Sequence, residues 1–178
     1  MKNFAITYPT WFKPDSWQTP RWKTAIGRTK LSHPMHLALK QSLIRTNSQI
    51  LDFGCGRGGD IQRLNCIGDI RANGFDPYYA PSTNFVKPTE IVSLIYVLNV
   101  IEDEQERADV LKYCWGLTER LMIVAVRPRT PRESPEVITS TGTFQKYFSP
   151  PELHSYLVQV LGEVSASYPE PCIAFLWR

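Results

Sequence analysis

Asp52, Gly54, Gly56, Gly58 and Asp76 are the residues of this chain whose types and spacing can do chemistry. The first four fall in ILDFGCGRGGD, residues 50–60, where an apolar run gives way to an acid and alternating glycines. Having no Cβ, glycine takes φ > 0 in a tight turn and lets a ligand lie against bare backbone. A helix beginning near Gly59 or Asp60 directs its unpaired N–H groups and positive dipole end at such a ligand. Strand, glycine loop and helix start together make a holder for a nucleotide-like molecule. Gly54, Gly56 and Gly59 also satisfy the G-x-G-x-x-G spacing of dinucleotide folds, a weak signal alone.

Two acids sharpen the reading. Asp52 stands one position inside the strand end, where dinucleotide folds carry apolar residues and S-adenosylmethionine sites carry an acid. A carboxylate there can accept hydrogen bonds from an α-ammonium, directly or through water. Asp76 ends the next apolar stretch, residues 72–75, about 20 residues past the loop, so the neighbouring strand tip presents an acid that can hold two ribose hydroxyls. Each acid has a plainer reading alone: Asp52 caps a turn, and Asp76-Pro77 starts one. Together the two acids and the loop resemble the class I S-adenosylmethionine-dependent methyltransferases.

The elements that must position these residues alternate between helix and strand. Ser32 and Pro34 open a helix whose apolar positions Met35, Ala38, Leu39 and Leu43 repeat at helical spacing to about Asn47. A short helix over 60–65 closes at Gly68, and an irregular stretch over 77–88 with three prolines precedes the buried run IVSLIYVL, residues 91–98, a central parallel strand. Glu102 and Asp103 favour a helix start, with Val110, Leu111, Cys114 and Leu117 as its inner face. A strand over 121–126 leads into a connection over 127–148, too long for a plain link. Ser149-Pro150-Pro151-Glu152 is a capping box opening a helix that stops at Gly162. Residues 164–168 and 172–177 form a closing antiparallel pair. The expected fold is α/β: a Rossmann-like, doubly wound, mostly parallel sheet of class I methyltransferase type, abbreviated after its second strand, with ligands at the carboxyl ends of the strands.

The 178 residues, 43% hydrophobic and 21% charged, suit one globular core. No apolar run reaches membrane-spanning length and the N-terminus opens no signal peptide, so a cytoplasmic location is expected. Cys55, Cys66, Cys114 and Cys172 are scattered and read as reduced core residues. His33 and His36 stand one helical turn apart without a third ligand, and no metal site is expected.

Charge is uneven. Up to Lys30 the chain carries Lys2, Lys13, Arg21, Lys23, Arg28 and Lys30 against Asp15 alone, so this arm is net +5 within a total of +3. It also holds Tyr8, Trp11, Phe12, Trp17 and Trp22 among three prolines, without periodicity. We therefore divide the chain into a basic aromatic arm over 1–30 and a methyltransferase-like domain over 31–178. Basic residues among aromatics suit nucleic acid; alternatively the tryptophans tack the arm onto the domain while the charges face water. The 127–148 connection, with Arg127, Arg129, Arg132 and Lys146, is either a solvated loop or a substrate lid.

Four segments narrow the resemblance: GRTKLS (27–32), FDPYYAP (75–81), VLNVIED (97–103) and GTFQKYF (142–148). In order and spacing they resemble the DNA phosphorothioation-associated methyltransferase family from about Gly27 to the C-terminus. The resemblance implies S-adenosylmethionine as cofactor and an association with DNA modification. By motif it puts Asp52, Gly54, Cys55, Gly56 and Gly58 around the methionine part, Asp76 on the ribose, Pro77 and Tyr78 beside the adenine, and Asn99 facing the sulfonium. Enzymes that methylate exocyclic base amines carry Asn or Asp followed by two prolines and an aromatic at that position. Asn99-Val100-Ile101-Glu102 has neither, so base N-methylation of DNA is not supported by these residues. Tyr147, Lys146, Glu102 and His36 are the candidates for removing a proton, and Lys146 and Tyr147 could equally bind an anionic group. The leading expectation is a methyltransferase with nucleic acid ahead of a small metabolite as acceptor. The alternative is a non-catalytic cofactor-binding accessory subunit that docks through the arm. A dinucleotide oxidoreductase ranks third, because of Asp52 and the missing second mononucleotide unit.

Overall fold

The computed structural model describes residues 8–178. Its centre is a six-stranded sheet in the order β2-β1-β3-β4-β8-β7. Strands β1 (Gln49–Phe53), β2 (Arg71–Phe75), β3 (Thr89–Ile95) and β4 (Thr118–Ala125) run parallel, while β8 (Ile173–Trp177) lies antiparallel to β4 and to β7 (Ser165–Glu170). Successive side chains of the inner strands enter opposite layers. Ile50, Ile91, Leu121 and Ile123 meet Met35 and Ala38 of α1 (His33–Lys40) and Leu64 of α2 (Gly59–Leu64). Leu51, Val92, Leu94, Met122 and Val124 meet Val110, Leu111 and Cys114 of α3 (Glu104–Leu117) and Leu153 and Leu157 of α4 (Pro150–Leu161). Burial on both faces explains why these strands read as continuous apolar runs. The expected doubly wound sheet, its short second half and its antiparallel closure are all present.

The Ser149–Glu152 capping box forms in full, and Asp103 caps α3 by accepting from Glu106 N at 2.6 Å. Ser32 stands at the N-cap of α1 without a side-chain cap. That helix ends at Lys40, short of Asn47, because Ser42 turns left-handed (φ 56°) and folds Leu43 and Ile44 back toward the core. The apolar stripe continues in space but not as helix. Strand β3 likewise stops at Ile95. Tyr96 takes φ 59°, a conformation bulky residues rarely adopt, while its N–H still reaches Ala125 O at 2.8 Å. Asn99 therefore lies in a 3-10 turn, Leu98–Val100, beyond the strand end where the sequence put it.

The long connection after β4 is a hairpin, β5 (Glu136–Ile138) and β6 (Phe144–Lys146), anchored at its base by Phe148 N to Arg127 O at 2.9 Å. The arm folds as three 3-10 turns, Thr10–Phe12, Pro14–Ser16 and Arg21–Thr24. Phe12 is buried, its ring 4.5 Å from Phe75 and 5.9 Å from Phe53. Burying one such ring contributes about 2 kcal/mol. Lys2 and its neighbours up to residue 7 lie outside the described residues. Cys66 is exposed, contrary to expectation, because α2 ends at Leu64 and the chain turns outward there; the four cysteines are all free. No helix among the described residues is long and apolar enough to cross a membrane.

Candidate functional site

A cavity of about 570 Å³ opens at the carboxyl ends of the parallel strands. Asp52 lies at its floor, paired in register between Gly74 of β2 and Ser93 of β3. Its side chain is buried and accepts from Ser93 Oγ at 2.7 Å. Burial pushes this carboxyl up to about 7; the Ser93 hydrogen bond opposes that shift, the nearby Asp60 and Asp76 add to it, and Arg28 opposes it. At neutral pH, then, the group is poised between its forms and favours a cationic neighbour. Ser93 was missed in the sequence, although a single hydroxyl inside IVSLIYVL is a readable sign of a buried polar partner.

The glycine loop is shaped by what stands behind it. Gly54 has φ 79°, and a Cβ there would come 2.3 Å from Val97 Cγ2, so any side chain would collide with the turn that carries Asn99. Its N–H donates to Phe75 O at 2.7 Å, tying the loop to the tip of β2. A Cβ on Gly74 would meet Ile61 and the Cys55 sulfur, so β2 also needs glycine for α2 and the loop to sit close. Burial pushes the Cys55 thiol well up, and Asp52 and Asp76 push it further, so this cysteine is no thiolate nucleophile.

Asp76 serves the turn and the cavity together. Its Oδ1 accepts from Tyr78 N and Tyr79 N, both at 2.9 Å, and its Oδ2 accepts from Gly56 N at 3.0 Å. A carboxylate offers about four acceptor positions, so roughly one remains. Pro77 and Tyr79 border the cavity; Tyr78 does not, and stacks instead on Trp22 with centroids 5.2 Å apart. Tyr79 donates to Trp22 O at 2.9 Å, so the arm and the β2 turn are clasped together. Gly58 (φ 73°) shapes the loop through Gly58 N to Cys55 O, 3.0 Å, away from the cavity wall.

The opposite wall comes from the arm, the Leu98–Val100 turn and the hairpin. Gln145 of β6 joins the last two: Asn99 Nδ2 donates to Gln145 Oε1 at 3.4 Å and Gln145 Nε2 to Asn99 O at 3.2 Å. Asn99 Oδ1 is buried without a hydrogen-bond partner among the described residues, which leaves its desolvation uncompensated by them. Tyr147 borders the cavity. Lys146 does not; its Nζ pairs with Glu136 at 2.8 Å and lies over the Phe148 ring. Glu102 is taken up by the arm, accepting from Gln18 N, Thr19 and Arg21. Burial alone would raise its carboxyl, but the Arg21 hydrogen bond, backbone hydrogen bonds and the Arg21 charge together outweigh this and hold it low. Arg21 is itself buried, bidentate to Glu106, so this basic residue of the arm does not face water. His36 lies on a separate outer groove. Of the arginines bordering the cavity, Arg28 lies over the Tyr96 ring at 5.6 Å and Arg127 follows the end of β4, neither having a carboxylate partner among the described residues. No group of three potential metal-binding His, Cys, Asp or Glu occurs among the described residues.

No family model matches this chain, and no curated protein matches it. Solved structures do. The chain is 15% identical to 1,6-didemethyltoxoflavin-N1-methyltransferase from Burkholderia thailandensis, solved with S-adenosylhomocysteine, covering 82% of this chain and 77% of that one with a TM-score of 0.60. It is 17% identical to the small RNA methyltransferase HEN1, covering 86% of this chain and 26% of that one with a TM-score of 0.59. An S-adenosylmethionine-dependent methyltransferase from Aquifex aeolicus is 12% identical, with 88% and 95% covered and a TM-score of 0.54. The likeness is one of fold: the mixed sheet here is the Rossmann-like sheet of class I methyltransferases.

Proposed function

We propose that this chain is a cytoplasmic S-adenosylmethionine-dependent methyltransferase whose cofactor lies over β1 and β2 and whose acceptor enters beneath the arm and hairpin. The observation that carries the proposal is Asp52: a buried carboxyl poised near 7 beside a glycine loop gains its missing counter-charge from an α-ammonium. Gly54, Cys55 and Gly56 would border the methionine part, and Asp76 would hold the ribose by sharing its Oδ2 with Gly56 N. Pro77 and Tyr79 would flank the adenine, with Tyr78 bracing Trp22 behind them. The unpartnered amide oxygen of Asn99 suits a polar or cationic group at the transfer point. The bound cofactor supplies a sulfonium-activated methyl group, which leaves the chain to align the acceptor, exclude water and take up any proton released. Tyr147 is the sequence-derived candidate positioned for that last task, since Lys146, Glu102 and His36 are engaged or distant.

Nucleic acid is the acceptor we favour over a small metabolite, and the four-motif resemblance supports a DNA-modification setting linked to phosphorothioation. A second reading, a cofactor-binding accessory subunit without transfer activity, is favoured by one observation: two of the acids and bases expected at the transfer point are bound to other side chains. Calorimetry tests the cofactor. S-adenosylhomocysteine should bind and nicotinamide dinucleotides should not, and Asp76→Ala should weaken binding by about 1.5–3 kcal/mol. Tight dinucleotide binding alone would overturn the assignment. Labelled cofactor incubated with nucleic-acid, protein and metabolite fractions should label the nucleic acid, and binding without transfer to any fraction would select the accessory reading.

A further inference from the structure

A second concavity lies outside the cavity, bordered by Lys30, Leu31, His33, His36, Arg63, Cys66 and Ile67. The start of α2 runs between the two, with Gly59 bordering the cavity and Arg63 the groove. Gly59 stands at that divide, bordering the cavity, and a Cβ on it would meet Arg28 Cβ at 3.3 Å and Arg63 Nη1 at 3.5 Å. The absence of a side chain at Gly59 thus lets the arm cross α2 closely, carrying Arg28 on the cavity side and Lys30 on the groove side. Arg63 donates to Gly59 O, so its guanidinium is fixed on the crossing.

Two carboxylates at this crossing are already engaged. Asp60 is buried and accepts from Ser32 N at 2.6 Å, and Glu170 pairs with His33 at 2.7 Å. Arg28, Lys30, His36 and Arg63 have no carboxylate partner among the described residues, and Arg127 extends the same character to the far side of Tyr96. Between these basic residues lie apolar and aromatic side chains, Leu31 and the exposed Ile67 in the groove and Trp22 and Tyr79 in the cavity, whose lining also carries the acids Asp52, Asp60 and Asp76. A basic rim over the apolar floor of the groove, leading to aromatic rings in the cavity, fits a flexible phosphodiester chain whose bases face the protein, and a base enters an enclosed site only after leaving any duplex.

We propose that cavity and groove form one track for a single strand of nucleic acid, which enters over Ile67, passes between Lys30 and Arg63 over the arm where it crosses Gly59, and delivers one nucleotide into the cavity beside Arg28 and Arg127. This rests on the methyltransferase reading and assigns the groove, with His36 and Arg63, to the acceptor. The strand makes its sequence-independent contacts outside the transfer point, so affinity and chemistry are separable.

The test uses the full chain saturated with S-adenosylhomocysteine and a fluorescent thymidylate dodecamer read by anisotropy over a range of salt. The dodecamer should bind with an affinity that falls steeply with salt, and Lys30→Ala with Arg63→Ala should lower the log–log slope by about 1.4, the loss of two single-strand phosphate contacts. Affinity at low salt should fall about tenfold or more. Thymidine monophosphate should bind far more weakly and be indifferent to the double variant. Lys112→Ala, on the exposed face of α3 across the sheet, should change nothing. Calorimetric affinity for S-adenosylhomocysteine should be unaltered in every variant, which reports that each is folded. An unchanged slope in the double variant, an equal loss in Lys112→Ala, or a monophosphate that binds as well as the dodecamer overturns the track. Failure of S-adenosylhomocysteine to bind at all would instead strike the methyltransferase reading itself.

Discussion

Between Asp52 and Asp76 the floor of the cavity is made within one stretch of chain, whereas the wall facing it joins Arg21 to Glu106, 85 positions away, and Asn99 to Gln145, 46 away. The floor is held mainly through backbone donors, Gly54 N to Phe75 O, Gly58 N to Cys55 O and Gly56 N to the Asp76 carboxylate, with the one side-chain pair Ser93–Asp52. The wall is held by side chains, above all the Arg21 cluster and the Trp22–Tyr78 stack. Local backbone geometry survives most substitutions outside its glycines. A wall held by a few long-range side-chain contacts can be detached at one point while the floor persists.

The strongest way to break this comparison is Arg21→Ala. The guanidinium is buried and meets both Glu102 and Glu106, and its ionisation is held high: burial opposes the charge, but the two glutamates outweigh it. Removing it leaves two acids without their counter-charge, a loss of about 3–5 kcal/mol for a buried cluster of this kind. Urea denaturation should show that loss, and tryptophan emission should shift red as Trp17 and Trp22 come away from the wall. If stability fell by less than 1 kcal/mol, as for a surface pair, the arm would be held by Phe12 and the Trp22 contacts with Tyr78 and Tyr79 instead.

The floor makes the opposite prediction. Asp52 is raised from its ordinary value of 3.8 to about 7, chiefly by burial, so between those values the folded state holds a proton that the unfolded state has lost. Its contribution to stability is therefore complete below about pH 4 and is lost as pH rises through 7. Asp52→Asn removes the charge, and at pH 8 the ligand-free variant should be more stable than the parent by about 4 kcal/mol, a difference that disappears by pH 4. The same variant should lose affinity for S-adenosylhomocysteine, and in the parent that affinity should weaken as pH drops below 7. Thermal melts across pH 4 to 8 check the sign, and a variant destabilised throughout would mean that Asp52 is satisfied by its hydrogen bond with Ser93 alone.

The two regions also differ in how much of them the sequence disclosed. Alternating glycines, a strand-end acid and a second acid about 20 residues on are local features, and the loop and both strand-end acids follow from them. The family resemblance put Tyr78 at the adenine, but the three-residue turn closed by Asp76 sends Tyr79 inward and Tyr78 out onto Trp22. The hairpin was illegible since β5 and β6 span only three residues each, too short for alternation to register. Nor does composition reveal that Arg21 is buried: its partners lie on α3, and a charge count cannot see pairing across the fold. Ser42 and Tyr96, which end a helix and a strand with positive φ, carry no glycine or proline to announce the turn.

Gln145→Ala is the finest test of the comparison. It cuts the bonds between the hairpin and the Asn99 turn, which are partly buried and span 3.2–3.4 Å, while touching nothing on the floor. Two neutral hydrogen bonds of that length contribute about 1 kcal/mol together, so the loss in overall stability should be no larger. Affinity for S-adenosylhomocysteine should stay within twofold of the parent, because Asp52, Asp76 and the glycine loop keep their partners. Transfer of label to an acceptor should fall about tenfold or more, because Asn99 would lose the contact that fixes its amide at the transfer point and misplacement there is costly. A variant that lost cofactor affinity and transfer in proportion would show that wall and floor form one unit, and that the hairpin positions the cofactor rather than the acceptor.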